Sequence, residues 1–320
     1  MTKPFNCVEA YSGYGIAGMG IHAARFKVAY AFDNDCWDEK SQRFKLDAVK
    51  NYNANFKHAD GSDVCERKDI YNVSGAYILD QVSKNSGWKS VHFMFGGPPC
   101  QEWSKLNTQK TNTGKNRLIL EYQRLIKEAR PLVAVMEQVP DFLYPKKIES
   151  KKIRNRFFRE LKNMGYDCCY MVVDSSDYQV AQVRKRALVL LVRNDLGIAP
   201  VFPLPVYPKI PITKYIDIDG HSSGHFGEPM KAIELYPQVC TVTSGSPKYF
   251  YKGSDVWSPT IPELLWCQSI DPATYNYVGS KSKLKKGIAN GVPANLAFHI
   301  AKCVMERILE PAYRKNPELF

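Results

Sequence analysis

Three features of the sequence predict an α/β fold, a doubly wound, mostly parallel sheet with a second, small irregular domain. Short, almost wholly apolar runs alternate with amphipathic stretches over the first two-thirds of the chain. A glycine-rich turn at Gly13, Gly15 and Gly18 joins the first apolar run to the first amphipathic stretch. The alternation then stops at Pro200, Pro203, Pro205, Pro208 and Pro211, a spacing that suits neither a helix interior nor a central strand.

The runs at 5–10, 28–32, 91–95, 132–137, 168–173 and 187–192 read as strands. Their near-continuous apolar character suits strands buried on both faces, as in a parallel sheet. The stretches 16–25, 37–51, 117–129 and 153–164 read as the helices between them, and strict alternation of the two implies winding on both sides. Residues 196–255 hold the prolines and a polar run from His221 to Gly227, and read as the small domain. Two helices, 261–268 and 294–309, follow, the last amphipathic and expected to pack back onto the sheet. The expected division is therefore 1–195, 196–255 and a returning segment, 256–320.

Composition narrows the class. The 320 residues carry 44 Lys+Arg against 32 Asp+Glu, a net charge of +12, and 44% are hydrophobic. Such a chain builds a sizeable core, which excludes wholesale disorder. No apolar run reaches the length of about 18 residues that a spanning helix needs, and residues 1–6 lack a signal pattern. Nine cysteines, an odd number, show no metal-ligand spacing. A reducing cytosol, thiols without a disulfide framework, and no metal are expected. The positive balance suits a polyanionic partner.

Gly13-Tyr14-Gly15-Ile16-Ala17-Gly18 fits the pattern G-x-G-x-x-G between a strand and a helix. Its glycines permit a tight turn and close backbone approach to a ligand. Asp33 ends the second strand twenty residues after Gly13, where a carboxylate can accept hydrogen bonds from two ribose hydroxyls. The pattern suits a dinucleotide or S-adenosylmethionine. The first needs a helix N-terminus for its pyrophosphate; the second carries no phosphate.

A second loop, Phe95-Gly96-Gly97-Pro98-Pro99-Cys100-Gln101-Glu102-Trp103-Ser104, follows a buried strand. Ligands sit at the carboxyl ends of strands in such sheets, and the two prolines fix the path that delivers the Cys100 thiol there. The other eight cysteines read as buried structural residues.

Here the sequence resembles the DNA cytosine-5 methyltransferase family. Gly97-Pro98-Pro99-Cys100 looks like its nucleophile loop, and the residues from Glu9 to Gly15 like its cofactor motif. Asp33-Asn34-Asp35 resembles the acidic ribose clamp, and Asp69-Ile70 the adenine-side motif. Glu137-Gln138-Val139 is similar to Glu-Asn-Val, and Gln182, Arg184 and Arg186 to a Gln-x-Arg-x-Arg strand. Ile288-Ala289-Asn290-Gly291-Val292-Pro293 is similar to a C-terminal Gly-Asn-x-Val-Pro motif. The likeness covers roughly 5–195 and 238–308. Four positions depart from the pattern: Gln138 for Asn, Ala181 for Pro, Ala289 for Gly and Pro262 for Arg.

The resemblance implies a Rossmann-like methyltransferase fold and transfer of a methyl group from S-adenosylmethionine to carbon 5 of cytosine in double-stranded DNA. It implies catalysis by Cys100, Glu137, Arg184 and Arg186, with a covalent Cys100–C6 adduct and a flipped base. It implies a cofactor held by Tyr11, Gly13, Gly15, Gly18, Asp33, Asn34, Asp69, Ile70, Pro99, Leu118, Asn290 and Val292. Residues 1–195 become the catalytic domain and 196–255 a target-recognition domain, with His221, Ser222, Ser223, His225 and Gln238 as candidate contacts to bases. The basic residues of 104–117, 146–156 and 281–286 are candidate phosphate contacts. A cytoplasmic monomer is expected, in a restriction–modification system, solitary or phage-borne. The alternatives are a tRNA cytosine-5 methyltransferase, although a Cys-Phe-Thr typical of that branch is missing, and a catalytically idle DNA-binding relative.

Overall fold

The computed structural model describes residues 3–38, 43–99, 117–222, 230–243 and 246–320. β1 (Asn6–Ala10) leads through α1 (Ile16–Ala23) to β2 (Lys27–Asp33). A short antiparallel pair follows, β3 (Trp37–Asp38) and β4 (Arg43–Phe44), then α2 (Ala48–Asn55) and β5 (Cys65–Arg67). Next come α3 (Gly75–Ser86), β6 (Phe93–Gly96), α4 (Leu118–Ala129), β7 (Val133–Gln138), α5 (Ile148–Asn163), β8 (Tyr166–Asp174) and β9 (Lys185–Arg193). Seven strands form one sheet in the order β5-β2-β1-β6-β7-β9-β8. β5, β2, β1, β6 and β7 pair in parallel, whereas β9 is antiparallel to both neighbours.

Alternation along each strand divides the core into two layers. Cys7, Ala31, Phe93, Phe95, Val133 and Val135 face α1 and a C-terminal helix, α8 (Ala294–Val304). Val8, Ala10, Phe32, Met94, Ala134 and Met136 face Ile78 and Val82 of α3, Leu125 and Ile126 of α4, and Phe157 and Leu161 of α5. The sheet is thus wound on both sides, as the sequence predicts.

The small region carries a four-stranded antiparallel sheet in the order β11-β10-β12-β13. Its strands are β10 (Gly220–His221), β11 (Lys231–Ala232), β12 (Phe250–Lys252) and β13 (Asp255–Trp257). A third core joins it to α6 (Ile261–Cys267) and α7 (Lys281–Asn290) through Ile212, Val239, Val242, Phe250, Leu264 and Ile288. After α8 a π-helical turn, Met305–Leu309, leads into α9 (Glu310–Lys315).

Several expectations need correction. No single helix spans 37–51: Asp35 and Cys36 take left-handed backbone conformations and break it, β3 and β4 pair, and the helix starts at Ala48. β8 is not buried on both faces. It is the sheet edge, with Tyr170 54% exposed. Cys168 on that strand is exposed too, and Cys36, Cys169 and Cys240 are only partly buried. α3 was not foreseen, although Ser74 caps it and Gly87 ends it in the left-handed conformation. α7 was read only as a run of lysines. His221 and Ser222 are buried, and the Ser222 hydroxyl accepts the Lys248 and Tyr249 N–H groups. His221 ends β10 and Ser222 follows it, both buried rather than at the surface. Ser223 and His225 lie outside the described residues.

α1 meets α8 at Gly20, where an added Cβ would lie 2.0 Å from the Ala294 carbonyl oxygen and 2.7 Å from the Phe298 nitrogen. Gly→Ala in an uncrowded helix stabilises by about 1 kcal/mol. Here Gly20→Ala should instead destabilise by about 1–3 kcal/mol through overpacking, read as a lower midpoint in urea.

Candidate active site

A cleft of about 230 Å³ opens at the carboxyl ends of β1, β2, β6 and β7. The turn after β1 forms one wall. Tyr11, Gly13 and Gly15 all have positive φ, which coils the chain tightly, and Gly15 is the N-cap of α1. The Gly13 N–H donates to Asp33 Oδ2 at 3.0 Å, and the Asp35 N–H to Asp33 Oδ1 at 2.7 Å. Each carboxylate oxygen keeps a further lone pair for a ligand hydroxyl. Loss of water around Asp33 pushes its pKa up to about 6, against the two N–H bonds.

Asn34 stands next to Asp33 on the same wall. Its Nδ2 donates to Asp69 Oδ2 at 3.0 Å. Asp69 caps the single 3₁₀ turn Ile70–Asn72 by accepting the Tyr71 N–H. The Tyr11 hydroxyl donates to the Leu118 carbonyl at 3.0 Å, tying β1 to the start of α4.

The opposite wall comes from β6, β7 and β9. Gly97, Pro98 and Pro99 continue β6 into the cleft. Glu137 of β7 is largely buried and pairs with Arg186 of β9, Nε to Oε1 at 2.7 Å. Arg184, 3% exposed, donates from Nη1 to the Val242 carbonyl at 3.1 Å. Gln182 accepts the Val242 N–H at 2.8 Å and donates to the Cys267 carbonyl at 2.9 Å. β9 itself begins only at Lys185, so Gln182 and Arg184 precede it; Gln182 holds an isolated bridge to Val239. These bonds engage the inward amide and guanidinium groups and anchor the small region to the sheet.

Gln138 bridges the two loops of this wall. Its Nε2 donates to the Pro98 carbonyl at 2.8 Å, and its Oε1 accepts the Val139 N–H at 2.8 Å. The longer side chain thus still ties the end of β7 to the loop leading to Cys100. Cys100 itself lies outside the described residues.

Of the residues expected from the sequence, Tyr11, Gly13, Asp33, Asn34, Pro99, Glu137, Arg184, Arg186, Asn290 and Val292 line this one cleft. Gly15, Gly18, Asp69, Ile70 and Leu118 are not on its wall. Asp69 and Ile70 stand behind Asn34 and Leu118 behind Tyr11, while Gly15 and Gly18 serve packing. An added Cβ would lie 2.8 Å from the Phe56 ring at Gly15 and 2.9 Å from Glu9 Oε1 at Gly18. The described residues hold no group of His, Cys, Asp and Glu arranged to bind a metal, and none of their helices is long and apolar enough to cross a membrane.

Glu9, quoted in the motif but not expected to line the site, and Gly287 are among the wall residues beyond those expected. Glu9 lies in the cleft yet is 1% exposed, and accepts the Tyr52 hydroxyl at 2.5 Å. An acid inside an apolar strand was the available signal, since buried carboxylates need a partner or a purpose. Gly287 lies flat against Tyr14, where a Cβ would meet the ring at 2.3 Å. Nothing local in the sequence announces a contact between residues so far apart.

The fold is Rossmann-like, with the glycine turn, the acidic strand end and the Glu137–Arg186 pair in one crevice. The family model for C-5 cytosine-specific DNA methylase matches residues 5–232, and the chain belongs to that family. Among its relatives, Type II methyltransferase M.FnuDI of Fusobacterium nucleatum is 27% identical over 206 residues, 63% of this chain and 51% of that protein. The chain thus spans about half the length of that relative. Type II methyltransferase M.HindV of Haemophilus influenzae is 24% identical over 328 residues, 95% of this chain and 98% of that protein. Among solved structures, a chain encoded within an E. coli prophage matches with a TM-score of 0.72 at 19% identity, covering 96% of this chain and 99% of that one. The S. pombe Dnmt2 methyltransferase matches with a TM-score of 0.65 at 13% identity, covering 94% and 98%. Both are likenesses of fold.

Burial pushes the Glu9 carboxyl from its ordinary 4.5 up to about 7, the Tyr52 hydroxyl opposing. The folded protein therefore holds this proton more tightly than the unfolded chain, and stability falls as pH rises from 4.5 through 7. Asp33 adds a slope of the same sign from 3.8 to about 6. Glu9→Gln should remove the first slope and gain up to about 3 kcal/mol at pH 8 relative to pH 4. Urea titrations of both proteins across this range measure it.

Proposed function

We propose that this chain is an S-adenosylmethionine-dependent DNA (cytosine-5) methyltransferase that acts on double-stranded DNA. One observation carries the reading: a single cleft holds both the Gly13–Asp33 cradle and the Glu137–Arg186 pair. The first suits a ribose and the second the edge of a pyrimidine.

The cradle fits the nucleoside end of the cofactor, because Asp33 is held by two backbone N–H groups with lone pairs to spare. Tyr11, Gly13, Asp33, Asn34, Pro99, Asn290 and Val292 would hold it, with Asp69, Ile70 and Leu118 supporting from behind. S-adenosylmethionine bound there supplies an electrophilic methyl group.

Carbon 5 of cytosine is a poor nucleophile. Addition of the Cys100 thiolate to carbon 6 breaks the aromatic ring and leaves carbon 5 enamine-like, splitting one hard step into easier ones. Negative charge builds at N3 as the thiolate adds, and Glu137 shares a proton with that atom. Arg186 orients Glu137 through its Nε, and Arg184 lines the same wall. Gln138, by holding Pro98, keeps the Pro98-Pro99 approach to Cys100 in register with Glu137. Loss of the C5 proton to a base then re-forms the ring's double bond and expels the thiolate. The target carbons of a stacked base are hidden, so the base must be flipped out, at a cost of a few kcal/mol.

The small four-stranded sheet and its loops, within 196–255 and running on to Trp257, are the reader of the target sequence in this reading. The basic helix α5 supplies phosphate contacts through Lys151 and Arg159, whereas Lys152 and Arg156 pair with Glu149 and Glu160. On α7, Lys283 is committed to Asp47. One chain holds every proposed part, so it acts as a monomer.

Purified protein should transfer labelled methyl groups to duplex DNA and not to tRNA. Cys100→Ser should abolish transfer, and Glu137→Gln should lower kcat by about 10²–10⁴. DNA carrying 5-fluorocytosine should trap a covalent adduct. Undiminished transfer by Cys100→Ser overturns the mechanism, and tRNA as the preferred acceptor overturns the substrate.

A further inference from the structure

Two buried amides, Gln182 and Gln268, are off the cleft wall themselves but join two of its sides. Gln268 follows directly on α6 and is 0% exposed. Its Nε2 donates to the Ile288 carbonyl at 2.7 Å and to the Gly291 carbonyl at 3.5 Å. Those two carbonyls bracket Asn290, and Asn290, Gly291 and Val292 line the cleft on the side assigned to the cofactor. The Gln268 carbonyl also accepts the Ala294 N–H at 3.0 Å, at the start of α8.

At its other end, Gln268 Oε1 accepts Gln182 Nε2 at 3.4 Å. The same Gln182 nitrogen donates to the Cys267 carbonyl at 2.9 Å, and Gln182 Oε1 accepts the Val242 N–H at 2.8 Å. The Val242 carbonyl in turn accepts Arg184 Nη1 at 3.1 Å. A continuous path therefore runs from Arg184, on the side assigned to the base, through Val242, Gln182 and Gln268 to the Asn290–Val292 wall. Donor and acceptor of each amide are both engaged, so neither side chain can flip without losing bonds. Val242, Cys267 and Ile288 belong to the third apolar core, where a polar group without a bond is costly.

The net stabilisation from such bonds is modest, but they fix geometry. Methyl transfer needs the donor methyl and carbon 5 of the base about 3–3.5 Å apart and aligned, and a misplacement of about 1 Å costs about 100-fold in rate. The two substrates are held by opposite walls, so the distance between the walls sets that separation. We infer that Gln268, acting through Gln182, is a positioning residue that sets the spacing of the cofactor wall and the base wall, and so governs the transfer step more than the binding of either substrate. The inference rests on the methyltransferase reading above and deepens it.

Methyl transfer by the whole protein to unmethylated genomic duplex DNA, with active sites counted by titration with S-adenosylhomocysteine, tests it. Gln268→Met keeps the side-chain length and removes the amide. It should lower kcat by about 10- to 100-fold, while the Kd for S-adenosylhomocysteine and the KM for DNA stay within about threefold of wild type. Gln182→Met and Gln268→Met combined should cost no more than the larger of the two alone, because one broken link already ends the path. Thermal melting shows whether each variant is folded, and Gln182→Met, which breaks the bridge from its other end, carries the same split of kcat from binding if Gln268→Met unfolds. An unchanged kcat in the folded variant, losses of affinity that match the loss of kcat, or additive effects in the double variant overturn the inference and leave the methyltransferase reading in place. A wild type that transfers no methyl group to duplex DNA overturns both.

Discussion

Asp33 takes one N–H from Gly13 and another from Asp35, and much of the molecule follows from that pair of bonds. They hold the end of β2 against the turn after β1. The turn can then coil through left-handed residues and launch α1 at Gly15. α1 is thereby aimed at α8, and Gly20 lets the two backbones approach to a distance no side chain would allow. α8 follows directly on Asn290–Val292, so the same geometry brings the C-terminal segment to the cleft. A carboxylate on the cleft wall is therefore also the fastener of the fold around it, and its raised pKa reflects the water it loses in that position.

The far wall is organised by a different economy of charge. Glu137 and Arg186 satisfy one another, whereas Arg184 and Gln182 spend their polar atoms on backbone groups of Val242 and Cys267. Buried cations without such partners would be costly. The pairing binds the small region to the catalytic sheet at the place where the chemistry is proposed to occur. A base held between the two regions would therefore be read and activated by one continuous hydrogen-bonded unit. The Gln138 substitution is absorbed within it: the extra methylene still lets one amide reach both Pro98 and Val139.

The buried sheet was legible because its strands carry long apolar runs, and those at 5–10, 28–32, 91–95, 132–137 and 187–192 lie where periodicity puts them. Errors fall where the pattern is short or where tertiary position overrides it. The run at 168–173 is apolar, yet it sits at the edge because β9 turns antiparallel and, among the described residues, no strand pairs beyond β8. The stretch 37–51 is helical in composition, but the backbone at Asp35 and Cys36 breaks it. α3 mixes polar and apolar residues without a clean stripe, so its caps were the better signal. The glycine turn, the acid at 33 and the Glu and Arg positions stood out in the sequence by residue type and order, and the structure brings them to one cleft. Gly287 did not, because its meaning lies in Tyr14, and Glu9, though quoted at the start of the cofactor motif, was not among the residues expected to line the site.

The C-terminal segment is stitched to the N-terminal half by more than helix packing. Asn51 exchanges two hydrogen bonds with Val278, and Asn55 two with Asn276. The Tyr275 hydroxyl donates to the Tyr14 carbonyl at 2.5 Å, the Tyr14 hydroxyl to the Lys283 carbonyl at 3.2 Å, and Lys283 pairs with Asp47. Each contact spans more than 200 residues of chain. Closing a loop of that length carries an entropic cost, which these contacts offset jointly. The cleft wall made by Gly287, Asn290 and Val292 therefore depends on these long-range contacts. The glycine turn and Asp33 are local to the first 35 residues, but the enclosed cavity is a property of the whole chain. A motif with a clear local signature thus lines an enclosed cleft only because the far end of the sequence packs against it.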